Sequence, residues 1–174
     1  MALELTDTLC TRCGLCCDGT LFADVELAGR AEAARLEGLG LEIEDDDTPA
    51  PLLVQPCAAL RGRKCGIYEH RPNCCRTFEC RLLQDARRGE VSVDSALATI
   101  AKALALVDTA RARLAELGRE DRRLPIAENA SEVLARRSIA GEAPGSREEL
   151  AATMNRLSRL VRESFLRGSG SRPA

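Results

Sequence analysis

Four cysteines stand within eight residues near the start of the chain, Cys10-Thr11-Arg12-Cys13-Gly14-Leu15-Cys16-Cys17. Hydrophobic packing does not call for sulfur at that density. Spacers of two residues let successive thiolates turn onto one ion, and Gly14 relieves the backbone where such a turn is tight. A second group follows after 39 residues: Cys57, Cys65, Cys74, Cys75 and Cys80. Beyond Cys80 the chain contains no cysteine. Metal capture by sulfur is the first expectation, and it would draw two distant segments onto a shared site.

Composition narrows the setting. The chain of 174 residues suits one domain with an appended arm. Trp is absent and only Phe22, Tyr68, Phe78 and Phe165 are aromatic, so the core must be built from Ala, Leu and Val. A core of that kind gains from a metal staple. Residues 1–80 carry 8 Lys/Arg against 14 Asp/Glu, and the remainder 17 against 13. The acidic cysteine half argues against a phosphate-binding surface, and hence against a nucleic-acid partner. No apolar run spans a bilayer, and Glu4 and Asp7 interrupt any leader-like segment. The protein is expected to be cytoplasmic, where thiols stay reduced; nine cysteines would also leave one over in a closed disulfide set.

The expected fold is mainly α: a small cysteine-rich metal-binding module with little β, followed by amphipathic helices. Residues 1–90 form the module, 91–167 a helical extension packing on it, and 168–174 a frayed tail. Residues 20–25 suit a short strand, and Glu26 to Gly38 a helix with Leu27, Ala31, Ala34 and Leu36 inward. Asp45-Asp46-Asp47-Thr48-Pro49 is a solvated loop without the spacing of a calcium site. Arg81 to Arg88 makes one or two helical turns, ended by Gly89. Ser92 to Leu117 places Val93, Leu97, Ile100, Leu104, Val107 and Leu114 at steps of three and four, which predicts an amphipathic helix of about seven turns. A shorter helix is expected after Asn129, with Glu132 as its capping partner, and a last one after a Ser146–Glu149 capping box. Its apolar side is Leu150, Met154, Leu157, Leu160, Val161 and Phe165. Such stripes serve as a seam between helices over the metal module, or as a surface for a protein partner or self-association.

Taken together the cysteines follow C-x2-C-x2-C-C, then C-x7-C-x8-C-C-x4-C. With Gln55-Pro56-Cys57, Lys64-Cys65-Gly66-Ile67-Tyr68 and Arg71-Pro72-Asn73-Cys74-Cys75-Arg76-Thr77-Phe78-Glu79-Cys80, the pattern resembles the YkgJ-type cysteine-cluster family of zinc- or iron-chelating domains. The resemblance runs from residue 10 to about residue 83. It implies that Cys10, Cys13, Cys16, Cys17, Cys57, Cys65, Cys75 and Cys80 are the metal ligands, while Cys74 fills a variable position. His70, the only histidine, is also at a variable position.

Neighbours such as Cys16 and Cys17 point their side chains apart, so two nearby centres, each fed from both groups, or one polynuclear cluster would satisfy the set. All-thiolate sites suit zinc and iron–sulfur clusters alike, and Cys10, Cys13 and Cys16 share the C-x2-C-x2-C opening of bacterial ferredoxin sites. Arg71 and Arg76 are expected to neutralise thiolate charge or pair with Glu69 and Glu79, Pro72 to fix the approach to Cys75, and Tyr68 and Phe78 to shield sulfur from water. Two functions fit this inventory. One is a metal-binding protein without chemistry of its own. The other is an iron–sulfur redox or methyltransferase-like enzyme, since flagellin lysine methylases carry a similar cluster in a much larger chain. No glycine-rich nucleotide loop, nucleophile elbow or His-based acid–base pair accompanies the cysteines, and catalytic residues are not assigned.

Overall fold

A computed structural model of the chain describes residues 2–45, 49–137 and 143–166. It is mainly helical, as the sequence predicts. The N-terminal half contains α1 (Ala2–Cys13), β1 (Asp24–Glu26), α2 (Arg30–Glu37), β2 (Ile43–Glu44) and β3 (Leu52–Val54). There follow β4 (Leu60–Arg61), β5 (Lys64–Cys65), a 3-10 turn at Tyr68–His70, α3 (Asn73–Thr77) and α4 (Arg81–Arg87). The C-terminal half is α5 (Val93–Glu116), α6 (Ile126–Ala135) and α7 (Ser146–Ser164). No helix among the described residues is long and apolar enough to cross a membrane.

Helix α5 sets the frame. The Ser92 hydroxyl accepts the Ser95 N–H and caps its start. Its buried stripe is Ala96, Ile100, Ala103, Val107, Ala110 and Leu114. The alanines of that stripe let α7 approach closely, and Leu150, Leu157, Val161 and Phe165 of the α7 segment join the same core. The seam between helices is therefore what these stripes build. From the N-terminal half, Leu9, Leu15, Leu82 and Leu83 complete this core, and the Arg81 N–H donates to the Phe165 carbonyl at 2.9 Å.

A second, smaller core lies under a three-stranded antiparallel sheet in the order β1-β3-β2. Val25 pairs with Leu53 and Leu53 with Ile43, which turns Val25 and Leu53 onto Leu27, Ala33, Leu36 and Leu41. Strands β4 and β5 make a separate hairpin, with Leu60 opposite Cys65.

Four local expectations need correction. The strand expected over 20–25 is confined to Asp24–Glu26, where the backbone pairs with β3. Helix α2 begins at Arg30 rather than Glu26 and buries Ala33 and Leu36, leaving Ala31 and Ala34 exposed. The Glu32 carboxylate explains the start: it reaches back to accept the Ala28 N–H at 2.9 Å, as a capping residue does. Helix α6 starts at Ile126, where Pro125 presets the backbone, so Asn129 is a buried residue inside it rather than its cap. At α7 the capping box does not form, because Ser146 is the buried first helical residue and Gly145, at φ 84°, takes the cap position. Arg147 turns instead toward α6 and donates to the carbonyls of Val133 and Arg136, closing that helix's end. Of the acidic loop expected from Asp45 onward, residues 46–48 lie outside the described residues, as does the tail at 168–174, while Asp45 pairs with Arg30.

Candidate metal centre

All nine cysteines line one cavity of about 520 Å³ between the two cores. Local structure explains how each arrives there. Cys10 and Cys13 sit three apart on α1, hence on one helix face. The helix stops at Gly14, whose φ of 71° reverses the chain and whose carbonyl accepts the N–H groups of Cys17 and Asp18 at 2.9 and 3.1 Å. A side chain at Gly14 would meet the backbone of Arg63 at 3.2 Å, so this turn also seats the tip of the β4–β5 hairpin. Arg63 secures the contact by donating to the Cys13 carbonyl at 3.3 Å. Cys57 is tied directly to the first group, its N–H donating to the Cys17 carbonyl at 2.8 Å. Cys65 ends β5, Cys74 and Cys75 lie in α3 behind the buried Pro72, and Cys80 stands at the cap position of α4.

The second half of that turn depends on Gly19. Its φ is 79°, and an added Cβ would fall 2.9 Å from the Pro125 Cα. This close approach anchors the cysteine turn to the start of α6.

Burial raises most of the thiols above their ordinary value. Burial, and secondarily Cys80, pushes the Cys10 thiol up to about 11, although the residue as a whole reaches solvent; Arg71 and Arg87 partly oppose the shift. Burial pushes Cys13 and Cys17 up to about 12 each. Cys16 rises well above the ordinary thiol range for the same reason, and burial raises Cys57 and Cys80 as well. Cys75 is raised first by donating its thiol to Cys74, and that bond holds Cys74 below the ordinary value. The five basic side chains that line the cavity, Arg63, Lys64, Arg71, Arg76 and Arg87, cannot balance eight thiolates. A thiophilic cation could, by displacing the protons and supplying the missing positive charge.

No three His, Cys, Asp or Glu side chains among the described residues are already converged in ligating geometry. The donors share a cavity and have the chemistry for zinc or iron. Asp18, beside the cysteines, accepts the Thr20 N–H at 2.9 Å, and burial raises its pKa.

The accessory residues depart from expectation in part. Arg71 spreads over the Tyr68 ring at 3.7 Å, while Arg76 donates to the carbonyls of Arg71 and Glu69. Arg71 does lower the thiols of Cys10 and Cys17. Glu79 pairs with Arg87 instead of Arg71 or Arg76. Phe78 packs edge-on against Phe22 with centroids 5.0 Å apart, both rings lining the cavity. Tyr68 is 42% exposed, so it borders the cavity from outside. His70 is exposed and does not line it.

Two residues were missed from sequence. Arg63 was detectable only as one of three basic residues in the turn Arg61-Gly62-Arg63-Lys64 opposite an acidic segment. Gln55 lines the cavity, is 2% exposed, and its Oε1 has no partner among the described residues. Its only sequence signal was its place before Pro56-Cys57.

A helical scaffold closing two cysteine groups round one cavity defines a cysteine-cluster protein. The family of CxxCxxCC proteins, described as "Putative zinc- or iron-chelating domain", matches residues 9–96, half of the chain, and the chain belongs to that family. The match covers every cysteine and ends in the first turn of α5. Neither a curated protein nor a solved structure matches the chain.

Proposed function

We propose that this protein binds zinc or iron through Cys10, Cys13, Cys16, Cys17, Cys57, Cys65, Cys75 and Cys80, and that residues 1–90 act as the chelating module with 91–167 as its helical support. The observation that carries the reading is the gathering of all these thiols on one cavity, where they outnumber the five basic side chains beside them. The bound ion would supply a positive centre that cross-links residues 10–17 to residues 57–80. The chain's own part is to bring the sulfurs together, to release their protons, and to limit water with Phe22 and Phe78. Arg71 and Arg87 moderate the charge at Cys10. Free thiols at all nine positions suit a reducing compartment such as the cytoplasm.

An iron–sulfur cluster is a second form of the same reading, favoured by the apolar wall of Leu9, Leu21, Val25 and the two phenylalanines round the sulfurs. Anaerobic purification followed by iron, zinc and acid-labile sulfide analysis separates the two. Colourless protein with zinc supports a chelating or carrier role. Brown protein with matched iron and sulfide supports a cluster and opens a redox or methyltransferase-like role. Reduced, folded protein that takes up neither metal refutes the proposal.

A further inference from the structure

We propose that the eight thiols form two separate four-sulfur centres, Cys10/Cys13/Cys16/Cys80 and Cys17/Cys57/Cys65/Cys75, and that the second exchanges its metal faster than the first. This rests on the metal-binding reading above and adds the ligand assignment and a division of labour.

Packing divides the sulfurs first. Cys13, Cys16 and Cys80 belong to the helical core, whereas Cys57 and Cys75 pack against the core under the sheet. The elements agree. Helix α1, carrying Cys10 and Cys13, packs on α4, whose cap position is Cys80, and also on β5, next to which the Arg63 side chain donates to the Cys13 carbonyl. On the other side the Cys57 N–H meets the Cys17 carbonyl, the Leu60 N–H meets the Cys57 carbonyl at 2.9 Å, and Leu60 pairs with Cys65. Cys16 and Cys17, as chain neighbours, cannot easily turn to one ion, so the division falls between them.

The two surroundings differ in how easily they open. The first set stands on helices backed by α5, with α4 pinned to the end of α7 through Arg81 and Phe165. The second depends on a hairpin with two residues per strand, in which Arg61, Gly62, Arg63 and Lys64 are all exposed. Releasing Cys65 needs that short hairpin to open and its Arg63 bond to the Cys13 carbonyl to break, whereas releasing Cys80 disturbs the main core.

The test uses the reduced full-length chain and cadmium-113 alone as probe. Two equivalents should bind and give two resonances without cadmium–cadmium coupling. The double variant Cys57→Ser/Cys65→Ser, chosen because three thiolates and a water can still hold cadmium, should keep native helical circular dichroism and lose one resonance only. Zinc-loaded wild type should then release metal to a chromophoric chelator in two equal phases, differing by about ten-fold or more, and the double variant should lack the fast one. A single equivalent, coupled resonances, loss of both signals in the folded double variant, or one release phase overturns this inference while leaving metal binding intact. Failure to bind any cadmium overturns both. Cys80→Ser is the complementary variant; should it unfold, the wild-type spectrum and the double variant still decide.

Discussion

The two cores of this protein are built on different principles. Among the described residues, the helical core joins 20 buried ones from five helices and their flanking turns, and it includes the fully enclosed Phe165, Leu15, Leu114 and Leu150. The core under the sheet has 8, two of them alanine and one of them Cys74. At roughly 25 cal/mol per Å² of apolar surface buried, the first can sustain a fold and the second is marginal. The cysteine cavity lies between them. What aliphatic packing does for the helical side, metal–sulfur bonds would do for the sheet side.

Removing metal should therefore produce the largest effect, and an uneven one. A chelator under reducing conditions should remove stabilisation on the order of 10 kcal/mol per structural zinc. Amide exchange would locate it: protection should collapse at residues 52–54 and 57–75 before α5 and α7. Uniform loss, or none, would erase the proposed contrast. Next in size are core truncations. Phe165→Ala should cost about 3–5 kcal/mol and Leu53→Ala about 2–5 kcal/mol in denaturant unfolding of the metal-loaded protein. After chelation the Leu53→Ala penalty should shrink, since the sheet has already opened, while that of Phe165→Ala should persist.

A smaller effect follows from the thiols of the metal-free protein. Burial pushes the thiols of Cys13 and Cys17 up to about 12 in the folded chain, against 9.0 ordinarily. Between those values the unfolded chain has released protons that the folded chain keeps, so stability falls as pH rises through 9 toward 12 and is unaffected by these groups below 9. Thermal melts across that range check the sign. The metal-loaded protein should show the opposite trend, losing metal as acid protonates the thiolates. The mildest of these changes is Gly19→Ala, which meets both a positive φ and the Pro125 contact and should cost roughly 1–3 kcal/mol. Equality with wild type in unfolding would mean that the turn does not need its approach to α6.

The same contrast explains what could be foreseen from sequence. Helix α5 was legible because its apolar residues recur every three or four positions and Ser92 marks its start. Cys10 to Cys17 was legible because no packing argument requires that sulfur density. The sheet was not, since Ile43-Glu44 and Leu52-Leu53-Val54 are too short to display alternation. Boundaries failed where a residue had two uses. Asn129 resembles a cap but is buried inside α6, and Ser146 resembles one but turns into the core. The sharing of the cysteines could not be settled from spacing. The proposed division rests on the core that Cys13, Cys16, Cys80, Cys57 and Cys75 pack against, and that follows from contacts between segments some forty residues apart.

X-ray absorption at the metal edge of the purified, loaded protein tests the central claim most directly. The account predicts a first shell of sulfur alone, four per ion, at about 2.3 Å if the ion is zinc. A shell dominated by nitrogen or oxygen would contradict it.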